Sequence, residues 1–226
     1  MSRILRATWV LLLKELRIEL RTGEVVVTTG LFATLVAVLT SLSFYIDRQS
    51  AALVAPGVLW ITVTFAGVLA MGRSWTRERE HDVFRGLLLS PTPRAAIYLS
   101  KLAATLVFLG IVELILLLLV GLLFNLDLTE HFFPLALLLA MGTVGFAATG
   151  NLFAALSVRT RAREMVLAVM VFPVVAPALL SGVVATRELL GGAPLSEVVG
   201  WIQLLGAVDI AFLVAGVWLF EPLVSD

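Results

Sequence analysis

The sequence contains no cysteine and only two histidines among its 226 residues. The lack of cysteine excludes disulfides, thiolate metal sites and cysteine nucleophiles, and two histidines are too few for a histidine-rich metal cluster, so no metal site is predicted. Charged residues make up only 14% of the chain, against about 25% in a typical soluble domain. The 16 basic and 16 acidic residues cancel, which argues against nucleic acid as a partner.

Long apolar stretches dominate what is present. Hydrophobic residues make up 60% of the chain and the mean hydropathy is +1.05, so lipid must solvate much of this surface. A helix needs about 20 apolar residues to cross a bilayer core of about 30 Å. Six stretches are long enough: 25–46, 53–72, 96–124, 132–158, 165–185 and 199–220. The sequence therefore predicts an all-α integral membrane protein, with residues 1–226 forming a single transmembrane domain.

The distribution of Lys and Arg predicts the orientation of these spans. Five precede residue 24, six lie between the second and third spans, and three lie between the fourth and fifth; the remaining two, Arg48 and Arg187, fall on the other side. Positive residues accumulate in cytoplasmic segments, so both termini are predicted to be cytoplasmic. Trp75 and Trp218 fall at inner span ends and Trp60 and Trp201 toward outer ends, where aromatic belts are expected.

Residues 3–22 differ from the six spans. Their basic residues recur at helical spacing, and a second face carries Leu5, Trp9, Leu12, Leu16 and Leu20. This pattern predicts an amphipathic helix on the cytoplasmic leaflet with its basic side toward lipid phosphates. A plain membrane anchor and a functional element are both compatible with it.

The stretch TREREHDVFRGLLLSPTPR, residues 76–94, places many charges between two apolar spans. Residues 76–90 contain no helix breaker, their apolar residues recur at helical spacing, and Pro91 ends the pattern. One interpretation is a solvated loop. The other is a cytoplasmic helix that docks a soluble partner, with an apolar ridge entering a groove and charges fixing the register. The candidate docking residues are Arg77, Glu78, Arg79, Glu80, Asp82, Phe84, Arg85, Leu87 and Leu88.

Residues 54–101 carry a family resemblance. The segments APGVLW at the start of the second span, RERE followed by Asp82, GLLLSP, and RAAIYLSK entering the third span resemble the cytochrome c maturation protein B (CcmB) family. The resemblance implies the ABC-2-type permease fold, with residues 76–90 as the coupling helix. It also implies the bacterial inner membrane, a separate CcmA-like ATPase, CcmC-like and CcmD-like membrane partners, and indirect contact with a CcmE-like haem chaperone.

The chain has no GxxxxGK[ST] phosphate-binding loop, so it lacks that route to ATP binding. We therefore expect a transmembrane subunit rather than an enzyme, with no cofactor of its own, ATP on the partner, and haem as the ligand transported or handled. A two-fold exporter needs two copies, which predicts a homodimer. A permease for another lipid-like substrate and a non-conducting membrane scaffold remain alternatives.

Three polar residues in or near the spans invite a functional interpretation. Glu113 and Asp209 lie inside predicted spans, where a charge costs at least about 2.5–3.5 kcal/mol, so each is expected to face the protein interior. They are candidates for a substrate path or a conformational latch, or they simply provide packing polarity. His131, beside Phe132 and Phe133, is a weak haem-ligand candidate; interfacial anchoring explains it without a cofactor and is favoured.

Two further patterns concern packing. Residues 140–151 are rich in small side chains, which favours close helix packing. Pro173 and Pro177 are expected to kink or split the fifth span, and residues 181–201 to form short re-entrant or surface helices.

Overall fold

The computed structural model describes residues 3–43, 48–80, 83–126, 128, 131–157 and 163–225, except for the side chains of residues 48, 49, 79, 80, 157, 163–168, 170 and 225. Within these ranges the chain is helical and contains no strand. The helices are α1 (Arg3–Thr22), α2 (Glu24–Ser43), α3 (Arg48–Glu80), α4 (Val83–Leu89), α5 (Arg94–Leu123), α6 (Phe132–Ser157), α7 (Arg163–Leu190) and α8 (Leu195–Ser225).

Six of the described helices are long and apolar enough to span a membrane. The candidate spans are Glu24–Ser43, Ser50–Glu78, Arg94–Leu123, Phe132–Leu156, Val171–Leu190 and Leu195–Val224. Each coincides with one of the six predicted stretches, although the second and sixth are longer than predicted. The prediction of an all-helical, multi-pass membrane protein is confirmed.

The region from Pro173 to Trp201 differs from its prediction. Both prolines lie inside one helix, α7, which continues to Leu190, so the fifth span is not split. A transmembrane helix tolerates proline where neighbouring helices and local adjustments compensate for the missing N–H. The predicted short helices over 181–201 are wrong: a tight turn with Gly192 at φ 88° leads directly into α8.

Helix α6 lies at the centre of the bundle and contacts α3, α5, α7 and α8. Its small residues accept large side chains from its neighbours. A Cβ on Gly142 would collide with the ring of Trp60, and one on Gly150 would collide with Met71. The prediction that residues 140–151 allow close helix packing is confirmed.

Two tryptophans of α3 are part of this packing. Trp60 and Trp75 are each 2% exposed, and their indole nitrogens donate to Thr186 Oγ1 and Asn151 Oδ1, both at 2.9 Å. A buried indole N–H needs an acceptor, and the bundle supplies one to each. Their predicted placement in interfacial belts is therefore wrong. Trp218, at 77% exposure, does face outward.

The predicted helix over 76–90 is described on both sides of residues 81 and 82, which themselves lie outside the described residues. Residues 76–80 form the last part of α3, and α4 covers only Val83–Leu89. The extension of α3 has a physical cause, because Arg77 and Glu78 bind partners on α1 and α5. Helix α1 has the predicted bounds, and Gly23 at φ 62° connects it to α2 with a sharp change of direction.

Candidate functional site

Helix α4 presents a different face from the one predicted. Phe84 is buried and meets the ring of Trp75 edge to face, with centroids 5.5 Å apart. Leu87 and Leu88 are half-buried against the core. The apolar ridge therefore attaches α4 to its own bundle, and the outward surface carries Arg85, Gly86 and Leu89, the last 83% exposed.

Hydrogen bonds stabilise the end of α4 and the segment 90–93 that follows it. Arg94 Nη1 donates to the Leu88 carbonyl at 2.6 Å, and Arg3 Nη2 donates to the Pro91 carbonyl at 3.0 Å. Ser90 Oγ donates to the Leu87 carbonyl at 2.8 Å. Side-chain hydrogen bonds therefore connect α4 and the segment that follows it to α1 and to the start of α5.

Beside α4 lies a closed ring of alternating charge, hereafter the charge ring, formed by Lys14, Glu15, Lys101 and Glu78. Lys14 Nζ lies 3.0 Å from Glu15 Oε1 and 2.5 Å from Glu78 Oε1. Lys101 Nζ lies 3.0 Å and 2.9 Å from the same two oxygens. The ring joins α1, α3 and α5, and Lys101 within it is only 3% exposed.

A second ionic group extends from the charge ring to α2. Arg77 Nη2 donates to Glu19 Oε2 and Arg73 Nη1 donates to Glu24 Oε1, both at 3.0 Å. Glu19 Oε1 also accepts the backbone N–H of Val26 at 2.8 Å. Four helices therefore meet at this end through ionic contacts.

A buried charge needs an opposite charge and partners for its remaining polar atoms. Each charge of both groups has an opposite charge beside it, whereas Glu78 Oε2, Arg77 Nη1 and Arg73 Nε have no hydrogen-bond partner among the described residues. Burial lowers the pKa of Lys14, but Glu15 and Glu78 outweigh it through their charge and hydrogen bonds, so the pKa lies above its ordinary value of 10.5. Lys14 is therefore charged at neutral pH. Its ionic contribution to stability is fully present below pH 10.5 and is lost only as the pH rises through the folded-state value.

The structure separates the residues predicted to dock a partner. Arg77 and Glu78 face inward to α1 and α5, whereas Arg85 faces outward. The side chains of Arg79 and Glu80, and the whole of Asp82, lie outside what the structure describes. Sequence reasoning missed Glu15 and Lys101; the available signals were an acidic residue within a basic helix and a lysine inside an apolar one.

The two membrane carboxylates lie on different sides of α6 at nearly the same depth. Glu113 accepts a hydrogen bond from Thr143. Asp209 lies against Gly145, where an added Cβ would be 2.5 Å from its Oδ1, and this oxygen has no hydrogen-bond partner among the described residues. Both side chains are 6% exposed, as expected for an interior position. Roles for them in a path or a latch stay predictions.

His131 lies directly before α6 and is half-buried. Its backbone N–H donates to the Leu128 carbonyl at 3.1 Å, and the rings of Phe132 and Phe133 stack edge to face next to it. Within the described residues no three His, Asp or Glu side chains lie together as a metal site. Haem ligation by His131 stays a prediction.

Comparison with known proteins gives a consistent result. The family described as "CcmB protein" matches residues 6–220. The heme exporter protein B of Bradyrhizobium diazoefficiens is 29% identical over 206 residues, covering 91% of each chain. That of Pseudomonas aeruginosa is 28% identical over 201 residues, covering 88% of this chain and 89% of its own. That of Escherichia coli K12 is 29% identical over about half of each chain.

The family match extends well beyond residues 54–101, which carried the resemblance in the sequence. It includes most of α1, all six candidate spans except the last residues of α8, and both ionic groups at the α4 end of the bundle. The chain belongs to the CcmB family of membrane permeases.

Proposed function

We propose that this chain is the permease subunit of an ABC transporter that exports haem, or releases it to a chaperone, during cytochrome c maturation. Its relatives over about nine-tenths of the chain are named heme exporter protein B. Its described part has the six long apolar helices of a multi-pass membrane protein.

In this proposal the chain lies in the bacterial cytoplasmic membrane with both termini inside. The charge ring, α1 and α4 are then at the cytoplasmic surface, together with most of the Lys and Arg residues. Positive residues favour that side. The turn at Gly192 and the start of α6 near His131 lie at the outer surface.

A separate CcmA-like ATPase supplies the energy and docks on α4. The observation that carries this proposal is the geometry of α4: a short helix outside the long spans, fixed by Phe84 and Arg94, with Arg85 and Leu89 exposed. ATP-driven movement of the partner would displace α4 and, through it, α1 and α5, a lever-like change between packed states. Two copies of the chain, with CcmC-like, CcmD-like and CcmE-like proteins, complete the assembly.

The test is complementation of a deletion strain. Wild-type chain should restore haem attachment to c-type cytochromes. Arg85→Glu combined with Leu89→Glu should lower the amount of ATPase that co-purifies about tenfold or more, because it reverses a charge and removes an apolar contact at the docking face. Arg187→Glu reverses another exposed arginine, on α7, and should change nothing.

Three results would contradict the proposal. If haem attachment in the deletion strain is normal while another lipid-like substrate accumulates, the chain is a permease of different specificity. If both variants retain the ATPase equally, α4 is not the docking site. A scaffold that moves nothing would restore haem attachment even with an ATPase unable to hydrolyse ATP.

A further inference from the structure

A groove runs along α1 on the side that meets the segment after α4; we call it the α1 groove. Its volume is about 510 Å³ and it is lined by Arg3, Arg6, Ala7, Val10, Leu11 and Thr92. We propose that the α1 groove is the second half of the docking surface and binds an acidic segment of the ATPase. The inference rests on the proposed function and adds a second contact to it.

The groove is continuous with α4. Arg3, at one end of the groove, donates to the carbonyl of Pro91, two residues beyond the end of α4. Thr92 lines the groove, and its Oγ1 lies within hydrogen-bond distance of Ser90 Oγ, at 2.8 Å. A protein that covers Arg85 and Leu89 on α4 therefore needs only a short extension past Pro91 to reach Arg3 and Arg6.

Helix α1 is held firmly enough to form a binding surface. Its two acidic residues, Glu15 and Glu19, are each 5% exposed. They pair with Lys101 on α5 and Arg77 on α3. These ionic contacts fix the rotation of α1 about its axis, so Arg3 and Arg6 are presented in a defined direction.

The rotation of α1 separates a lipid side from a groove side. At 3.6 residues per turn, Leu5, Trp9 and Leu20 form one stripe, and their exposures are 55%, 56% and 87%. Such an exposed apolar stripe suits the lipid interface. Arg3 and Arg6 lie on another flank, where the groove opens. The groove lies on a flank beside the apolar stripe and includes Val10, which is 59% exposed. Its contact with the segment after α4, through Thr92 and the Arg3–Pro91 hydrogen bond, favours a protein occupant over a lipid headgroup.

The charge of this surface selects the occupant. Because the acidic residues of α1 are buried, its exposed charges are those of Arg3, Arg6, Arg17 and Arg21. Among the described residues none that lines the groove is acidic, and Arg85 on α4 adds to the same sign. An acidic segment complements such a surface, and complementary charges raise the rate and specificity of association.

The experiment measures the affinity of the purified ATPase for the full chain in nanodiscs. The variant is Arg3→Glu with Arg6→Glu, and Arg6→Glu alone keeps the Arg3–Pro91 contact. The matched control, Arg17→Glu with Arg21→Glu, makes the same charge change on the same helix outside the groove. Each is measured in zwitterionic nanodiscs and in nanodiscs containing phosphatidylglycerol.

We expect Kd to rise about tenfold for the double variant and several-fold for Arg6→Glu, with little change for the control. The effect should shrink between about 0.1 M and 0.5 M salt, since screening shortens the range of charges, and it should not depend on the lipid. These results support the inference.

The opposite outcomes are distinct from one another. An unchanged Kd alongside weakened binding by Arg85→Glu with Leu89→Glu would overturn the inference and leave the proposed function standing. A loss confined to nanodiscs with phosphatidylglycerol would assign the groove to a lipid headgroup. An equal loss in the control would show that the overall positive charge of α1, rather than the groove, attracts the ATPase. If wild-type chain binds no ATPase, the proposed function fails and the inference fails with it.

Discussion

The two tryptophans of α3 lie about 22 Å apart along one helix, given a rise of 1.5 Å per residue, and they mark two kinds of packing. Around Trp75 the bundle is polar: Asn151 accepts from its indole, and Lys101 of the charge ring lies 5.6 Å from its ring centroid. Around Trp60 the fit is steric, with Gly142 on α6 and Gly182 on α7 against the indole ring.

The difference concerns how much displacement each end accepts. Lysine and glutamate side chains are long and can follow a small shift of their helices while staying paired. A ring held between two glycines has no such freedom, because protein interiors are close-packed. The end that carries α4 is thus suited to movement, and the Trp60 end is suited to hold α3, α6 and α7 in a fixed relation.

The largest expected effect comes from breaking the charge ring at Lys101. Lys101→Met leaves Glu15 and Glu78 buried with one cation fewer, and removing one partner of a buried pair destabilises by about 3–5 kcal/mol. Lys14→Met removes the other cation that binds the same two oxygens, but the Lys14 side chain is 32% exposed. Water can replace it, so the loss should be about 1 kcal/mol. Equilibrium unfolding in detergent micelles measures both, and equal losses would show that burial is not what distinguishes them.

The second prediction tests the close packing around Trp60. Gly142→Ala places a Cβ in the ring of Trp60, and overpacking of this kind costs about 1–3 kcal/mol. Gly57→Ala is the matched control on α3, because nothing lies within 4 Å of its added Cβ. Alanine is also the better helix former by about 1 kcal/mol, so this control should be neutral or stabilising. Thermal unfolding of the two variants measures this difference. An equal drop in Tm for both would contradict the steric explanation of the Trp60 packing.

The smallest effect comes from the hydrogen bond of Trp60. Thr186→Val keeps the shape of a fully buried side chain and removes the Oγ1 that accepts from Trp60 Nε1. The loss should be about 1 kcal/mol, typical of one hydrogen bond. Thr40→Val, at a half-buried position whose hydroxyl donates to the Val36 carbonyl of its own helix, should stay within about 0.5 kcal/mol. A similar loss in both would assign the effect to the loss of any threonine hydroxyl rather than to the bond with Trp60.

Local pattern predicted the fold well and the site only in part. The six spans follow from length and hydropathy, and α1 follows from its amphipathic spacing. The small residues of α6 were recognised as a packing surface, but the sequence does not say which side chains they accept. Trp60 and Trp75 were assigned to the interface because periodicity along one helix carries no information about the acceptors and gaps on other helices.

The docking segment shows the same limit. The charged run and Pro91 predict a helix and its end, yet the inward direction of Arg77 and Glu78 depends on their contacts with Glu19, Lys14 and Lys101. These partners are distant in the chain. The outward face of α4 likewise depends on Phe84 meeting Trp75, which decides that Arg85 and Leu89 point away from the bundle.

The sequence by itself determined the membrane class, the six spans and the side on which positive charge accumulates, because transfer into lipid depends on local composition. Only the tertiary structure decided that Lys101 is buried in a ring, that Glu15 and Glu19 of α1 face the bundle, and that α4 points Arg85 outward. Each of these depends on contacts between helices. The energy of such a contact is set by both helices together, so the local sequence of one helix does not reveal it.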